Sequence, residues 1–233
     1  MKIAILDLCQ LPEPLEGHGR VGSMIHQWLG PHLPEASFVS IDVANGEPLP
    51  AVDAFDGYVV SGSEKGVYDE TVWMEPLKAF LRELKAARIP VFGICFGHQV
   101  MAEAYGGKAE KAEGSLEVGA RKYQRDGKEF SARAMHGDQV VEVPPEAQVT
   151  MSASYCPVAA LDYDFPAKSI QFHPEYSEPF VSDTIDLFDG QGLDEDQAVN
   201  ARTSLSEQTV EVDFVGQETA EFFRKAIQKN AAA

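Results

Sequence analysis

The stretch Pro90 to Tyr105, PVFGICFGHQVMAEAY, constrains the fold more tightly than any other part of the chain. Val91 to Ile94 is a short apolar run suited to a buried strand, and Val100, Met101, Ala104 and Tyr105 then recur at helical spacing. Between the two sits Cys95. A strand that turns sharply into a helix at a nucleophile leaves little room for side chains around it, and Gly93 and Gly97 supply that room. The pattern therefore reads as a nucleophile elbow built on cysteine, followed by a helix that starts at about Gly97. The positive end of that helix faces the sulfur and favours negative charge on it. The same residues also fit a buried structural cysteine between two packing glycines, because free cysteine is among the most buried residue types.

A second stretch, Ser169 to Tyr176, SIQFHPEY, supplies what a cysteine nucleophile needs. Ile170 and Phe172 alternate with polar neighbours as in a strand, and Pro174 cannot continue an internal ladder, so His173 falls at a strand end. His173 and Glu175 are two residues apart, so an extended backbone projects both to one side, with Glu175 placed to orient the imidazole. Base and orienter beside a thiol form the minimal set for covalent catalysis. A capping histidine next to a surface acid is the alternative reading of this stretch.

Taken together, these residues resemble the class I glutamine amidotransferase family. The family pattern G-x-C-x-G-x-Q stands complete as Gly93, Cys95, Gly97 and Gln99, and its H-P-E as His173, Pro174 and Glu175. Val60 to Asp69, VSGSEKGVYD, is similar to the family's glycine-rich oxyanion loop, except that Ser63 stands where many members have a second glycine followed by proline. Met135 to Val140, MHGDQV, is similar to a segment of the amidotransferase domain of GMP synthetases. The resemblance implies a flavodoxin-like α/β fold: an open, mostly parallel twisted sheet flanked by helices, with a small antiparallel annex. It implies a Cys95-His173-Glu175 triad, an oxyanion hole made by the N–H groups of Gly62 and Phe96, and Gln99, His136, Gly137 and Asp138 as organisers of a glutamine pocket. It implies no cofactor and no metal.

The bulk of the chain agrees with one α/β domain over residues 1–233, since 44% hydrophobic residues suffice for a sizeable core. No apolar run approaches the ~20 residues of a membrane span, and Met1-Lys2 leads directly into a strand, so neither membrane anchoring nor a signal peptide is expected. The three cysteines, Cys9, Cys95 and Cys156, lack paired or metal-type spacing. A reducing, cytoplasmic setting without disulfide or structural zinc is the corresponding expectation. A formal net charge of −18 argues against nucleic-acid binding, because phosphates repel such a surface. The late acidic residues, Asp183 to Asp196 and Glu207 to Glu221, read as a solvated face, with a basic partner surface as the alternative.

Along the chain, Lys2 to Leu8 and Phe38 to Val43 read as strands and Val21 to Leu29 as a helix with one apolar face. The loop Gln10 to Arg20 lies at the carboxyl end of the first strand, the edge where open α/β sheets bind ligands, which makes His18 a candidate to face the site. Asp56 to Val60 reads as a strand running into Ser61-Gly62-Ser63, and Glu75 to Ala87 as an amphipathic helix. Gly106-Gly107 stops the elbow helix. Five short strands follow: Leu116 to Tyr123, Phe130 to Met135, Val140 to Val143, Val149 to Ala153 and Val158 to Tyr163. His136 to Asp138 falls at a turn among them. Pro179 to Phe188 and Gln217 to Ile227 read as helices separated by an acidic interruption, and Asn230 to Ala233 is expected to fray.

The chemistry expected is attack by Cys95 on the side-chain amide of glutamine or another γ-glutamyl compound. The chain lacks a Walker P-loop pattern, so it is not expected to activate a substrate with ATP. Three destinations remain open: a free-standing γ-glutamyl hydrolase, a glutaminase subunit that passes ammonia to a separate synthetase, and a non-catalytic binding protein on the same fold.

Overall fold

In the computed structural model, which describes residues 1–112 and 116–231, the chain runs β1 (Lys2–Asp7), α1 (Val21–Leu29), β2 (Ser37–Asp42), β3 (Gly57–Val60), α2 (Met74–Ala87), β4 (Val91–Ile94) and α3 (Phe96–Ala104). There follow β5 (Lys108–Lys111), β6 (Glu117–Arg125), β7 (Lys128–His136), β8 (Asp138–Glu142), β9 (Ala147–Met151), β10 (Ala160–Tyr163) and β11 (Ala167–Ile170). Three helices close the chain: α4 (Glu178–Phe188), α5 (Glu195–Glu207) and α6 (Asp213–Ala231). No helix among the described residues is long and apolar enough to cross a membrane.

The main sheet has seven strands in the order β2-β1-β3-β4-β11-β10-β9. The first five are parallel, and β10 and β9 add to the edge antiparallel. Because β1, β3, β4 and β11 run the same way, the segments that leave them gather at one edge. These are Leu8-Cys9, Ser61-Gly62, Cys95 and Gln171 to His173. Cross-strand bonds hold the exits in register: Ser61 N–H donates to Leu6 O at 3.1 Å, Cys95 N–H to Ile170 O at 2.8 Å, and Gly97 N–H to Ser61 O at 3.1 Å. Strand sequence explains this placement. VFGI and GYVV are buried at every position, as a central parallel strand covered on both faces requires.

Helices cover both faces of that sheet. Met74, Leu77, Phe80, Leu81 and Leu84 form the buried stripe of α2, packing with Val60, Val91, Phe96 and Met101. Each such side chain contributes roughly 1.5–3 kcal/mol by leaving water. Val21, Met24, Ile25 and Leu29 of α1 do the same on the opposite face with Ile3, Ile5, Val59 and Phe92.

Several elements differ from the sequence reading. The elbow helix begins at Phe96, one residue before Gly97. Lys108–Lys111 forms a strand, β5, that was not anticipated, since KAEK has no apolar alternation and is ordered by pairing with β8. The annex comprises two two-stranded ribbons, β5-β8 and β6-β7, while β9 and β10 belong to the main sheet. Gly137 therefore joins strands of two different ribbons and is not a hairpin turn.

The acidic interruption after Phe188 contains a helix, α5, whose Asp194 and Gln197 make a reciprocal capping box. Only Ala198, Ala201 and Ser204 are buried along it, so its apolar signal is faint. Asp186 and Asp189 are not merely solvated, because Arg202 of α5 pairs with both, at 2.6 and 2.9 Å. Helix α6 starts at Asp213, four residues early, and continues through Asn230, whose side chain donates to Arg88 O at 2.7 Å. Of the end expected to fray, residues 232 and 233 lie outside the described residues.

Candidate active site

Cys95 occupies a backbone conformation with φ 52° and ψ −107°, unusual for a residue with a side chain. Such a conformation costs on the order of 1–3 kcal/mol and persists only where its surroundings impose it. Here the surroundings are β4 on one side and the first turn of α3 on the other. The two glycines serve close approach and not positive φ. A Cβ on Gly93 would lie 2.6 Å from Gly97 O, and one on Gly97 would lie 2.3 Å from Val60 O. Helix α3 can therefore sit against β3 and β4 only without those side chains.

His173 leaves the sheet just after β11 and is 1% exposed. Its Nδ1 lies 2.8 Å from Glu175 Oε1, which fixes Nδ1 as the donor and leaves Nε2 without a hydrogen-bond partner. Burial pushes the imidazole pKa down, but the charges of Glu175 and Cys95 and the Glu175 hydrogen bond outweigh it and raise it to about 10. Tyr176 lies flat on the same ring, centroids 4.0 Å apart and planes 7° from parallel. Arg133 of β7 clamps this turn twice: its main-chain oxygen accepts from His173 N–H at 2.8 Å, and its Nη1 donates to Tyr176 O at 3.0 Å.

Gly62 stands beside both Cys95 and His173. A Cβ there would meet His173 Cε1 at 3.1 Å and Cys95 Cβ at 3.8 Å, so only glycine leaves this space open. Ser61 holds the loop in place, accepting from Leu8 N–H at 2.8 Å and donating to Gly62 O at 2.7 Å. The thiol of Cys95 points toward Met135 O, 3.7 Å away.

The remaining sequence candidates form one connected group. Gln99 Nε2 donates to Asp138 O at 2.8 Å and to Gln171 Oε1 at 3.2 Å. His136 Nδ1 shares that same oxygen of Asp138 at 3.1 Å, and Tyr68 donates to Asp138 Oδ1 at 3.2 Å. Burial, followed by repulsion from His173, lowers the His136 pKa to about 3. It is neutral at physiological pH. Cys95, Gln99, His136, Gly137, Asp138 and His173 all line one cavity of about 480 Å³.

His18 is not among them. Its ring packs edge-on against Phe180 at 5.4 Å, and Nε2 bonds Asp183 at 2.7 Å, so it ties the loop after β1 to α4 from outside the cavity. Sequence reasoning missed Tyr176, Ser61, Arg133 and the wall contributed by α4. Tyr176 directly follows His173-Pro174-Glu175 and was open to notice, whereas Arg133 gave no sign of its role.

Comparisons with known proteins identify the family. A family model described as glutamine amidotransferase class-I matches residues 23–182. The chain belongs to the class I glutamine amidotransferase family. Among curated relatives, gamma-glutamyl peptidase 5 of Arabidopsis thaliana is 29% identical over 149 residues, covering 58% of this chain and 59% of the relative. A glutamine-hydrolyzing GMP synthase of an Azoarcus species is 37% identical over 136 residues, covering 51% of this chain and 25% of the relative. These matches span less than two thirds of either relative. A glutamine amidotransferase structure from Thermotoga maritima shares the fold, with TM-score 0.70 at 17% identity, over 98% of this chain and 96% of that chain.

Proposed function

We propose that this amidotransferase-family protein hydrolyses the side-chain amide of glutamine or of another γ-glutamyl compound through a Cys95-His173-Glu175 triad. The observation that carries the reading is the pairing of a strained elbow cysteine with a buried histidine whose Nδ1 is held by Glu175 and whose Nε2 is free. His173 Nε2 takes the proton of the Cys95 thiol, and Sγ attacks the γ-carbonyl carbon and forms a C–S bond. The resulting oxyanion rests on the N–H groups of Gly62 and Phe96. As the intermediate collapses, the C–N bond breaks and His173 Nε2 gives its proton to the departing nitrogen. Water then enters, His173 takes one of its protons, and the hydroxide displaces sulfur from the thioester to release glutamate. Glu175 keeps the imidazole oriented through both halves of the cycle.

Gln99 and the segment His136 to Asp138 shape the end of the cavity that receives the glutamyl α-amino and α-carboxylate groups. The similarity to gamma-glutamyl peptidases supports action on γ-glutamyl compounds. A second reading, a glutaminase subunit that passes ammonia to a separate synthetase, is supported by the 37% identity to a GMP synthase and by the MHGDQV segment. Purified protein should release glutamate from γ-glutamyl compounds at a kcat of ~1 to 10³ s⁻¹. Turnover that stays negligible until a synthetase from the same cell is added would favour the subunit reading. No glutamate with or without such a partner would refute hydrolysis altogether.

A further inference from the structure

The cavity at Cys95 has two unlike walls. One is polar: Glu64, Lys65, Asp69, Lys111 and Asp138, all the Asp, Glu, Lys and Arg side chains among its described lining residues, stand on the loop after β3, on β5 and at the start of β8. The other wall comes from the loop after β1 and from α4. It consists of Cys9, Gln10, Leu11, Pro12 and Leu15 facing Tyr176, Phe180, Thr184 and Phe188; none of these carries a charge, and Glu64 meets this wall only at its Cys9-Gln10 end, where it accepts from Gln10 N–H at 3.1 Å.

Ring contacts tie the apolar wall to His173. His173 stacks on Tyr176, and Tyr176 packs on Phe180 at 4.5 Å, so the apolar wall begins at the histidine. The polar wall instead continues from Gln99 through its bond to Asp138. A leaving group departs toward the acid that protonates it, and therefore toward Leu11, Leu15, Phe180 and Phe188. Ammonia needs only about the space of a water molecule, roughly 30 Å³. A cavity of about 480 Å³ falls instead in the range of sites for larger ligands, ~300–1,000 Å³. Leucine and phenylalanine also give an ammonium ion nothing to bind, and they exclude the water that would solvate it.

We propose that the preferred substrates are γ-glutamyl amides whose leaving amine carries an uncharged apolar group, aliphatic or aromatic, and that Leu11, Leu15, Phe180 and Phe188 hold that group. The proposal rests on the γ-glutamyl hydrolase reading above and adds the other half of the substrate. It makes glutamine a poor substrate and amines with a second charge poor leaving groups, because an ionised group on that wall finds no partner. The reaction would consume the product of an enzyme that joins glutamate through its γ-carboxyl to an apolar amine.

The test is a series of γ-glutamyl amides: glutamine, the methylamide, the butylamide, the anilide, and a charged counterpart of the butylamide ending in an ammonium group. Glutamate release is measured for every member. The expected result is that kcat/KM rises at least ~10-fold from glutamine to the butylamide or anilide and falls back for the charged analogue, since a single methylene in a fitted pocket is worth ~10-fold or more. Leu11→Ser and Phe188→Ser, both at partly buried positions, should lower the anilide-to-glutamine ratio about 10-fold. Leu11→Trp, which fills the space, should lower it as well if a serine variant fails to fold. A flat series with clear glutamine hydrolysis, a preference for the charged amine, or an apolar preference untouched by these variants overturns the inference and leaves the hydrolase reading standing. No glutamate from any member, with no labelling of Cys95 by a diazoketone analogue of glutamine, removes the hydrolase reading and this inference with it.

Discussion

The side-chain amide of Gln99, in the elbow helix, donates to the main-chain oxygen of Asp138, 39 residues later, at 2.8 Å. This bond joins the helix that follows Cys95 to the joint between two ribbons that closes the polar end of the cavity. Gln99→Leu should therefore leave the Asp138 carbonyl short of a partner and loosen the segment His136 to Asp138. Asp138 O would keep only His136, while Gln171 Oε1 would lose the Gln99 donor, and a buried acceptor left unpaired costs about 1–3 kcal/mol. The expected outcome is a lower melting temperature and a KM for glutamine raised ~10-fold, with a smaller change in kcat. Steady-state kinetics and thermal melts on the variant decide it, and an unchanged KM would detach Gln99 from substrate positioning.

Labelling distinguishes the three cysteines. Cys156 is fully buried, and burial raises its thiol pKa to about 12. Cys9 lines the cavity, but burial and the charges of Glu64 and Asp7 raise its thiol pKa far above the usual range. A diazoketone analogue of glutamine should modify Cys95 alone, with activity lost in step. Peptide mapping that found the label on Cys9 or Cys156 would contradict the assignment.

Cys95→Ala should abolish turnover, whereas Glu175→Gln should fold normally and lose ~10²-fold or more in rate, as for orienting residues of other triads. The pH profile of the second variant is more telling. His173 is held protonated by its neighbours up to about pH 10, so activity that depends on it as an acid should fall only as pH rises through that value. Glu175→Gln removes an upward influence and leaves the downward pull of burial. The alkaline limb of kcat/KM should then move to lower pH. A limb that stays in place would show that Glu175 does not set the protonation of His173.

Glycine substitutions separate chemistry from packing. Gly62→Ala places a methyl 3.1 Å from His173 Cε1, in space that is otherwise open to substrate, so the fold should survive while the rate falls ~10²-fold. Gly97→Ala drives a methyl to 2.3 Å from the main-chain oxygen of Val60, which cannot rotate away. That variant should be markedly destabilised or insoluble. Circular dichroism and thermal melts on both, alongside rates on Gly62→Ala, check the contrast.

Local chemistry made the elbow readable. An apolar run, Gly-x-Cys-x-Gly and a helical repeat demand a strand, a tight turn and a helix at neighbouring positions, and β4, Cys95 and α3 follow within one residue of that reading. His173 and Glu175 do meet, at 2.8 Å, but β11 ends at Ile170 and the chain bends on either side of His173, so a turn and not the expected extended backbone aligns them. The helix α5 and strand β5 were hidden. Their stability comes from the Asp194 cap, the Arg202 pairs and the β8 ladder, and no apolar periodicity announces them. The position of His18 was equally hidden, since only the packing of α4 decides whether a loop residue faces the cavity or braces it from outside.

What the sequence determined by itself is thus the set of short-range devices: the elbow, the histidine turn, and the apolar faces of α1 and α2. The tertiary structure alone decided how they meet. Parallel pairing of β3, β4 and β11 brings residues 62, 95 and 173 to one sheet edge, and the docking of α4 sets an apolar wall beside His173. Periodicity and propensity act over a few residues, whereas these relationships depend on contacts between residues that are distant in sequence and are ordered only when the whole sheet forms.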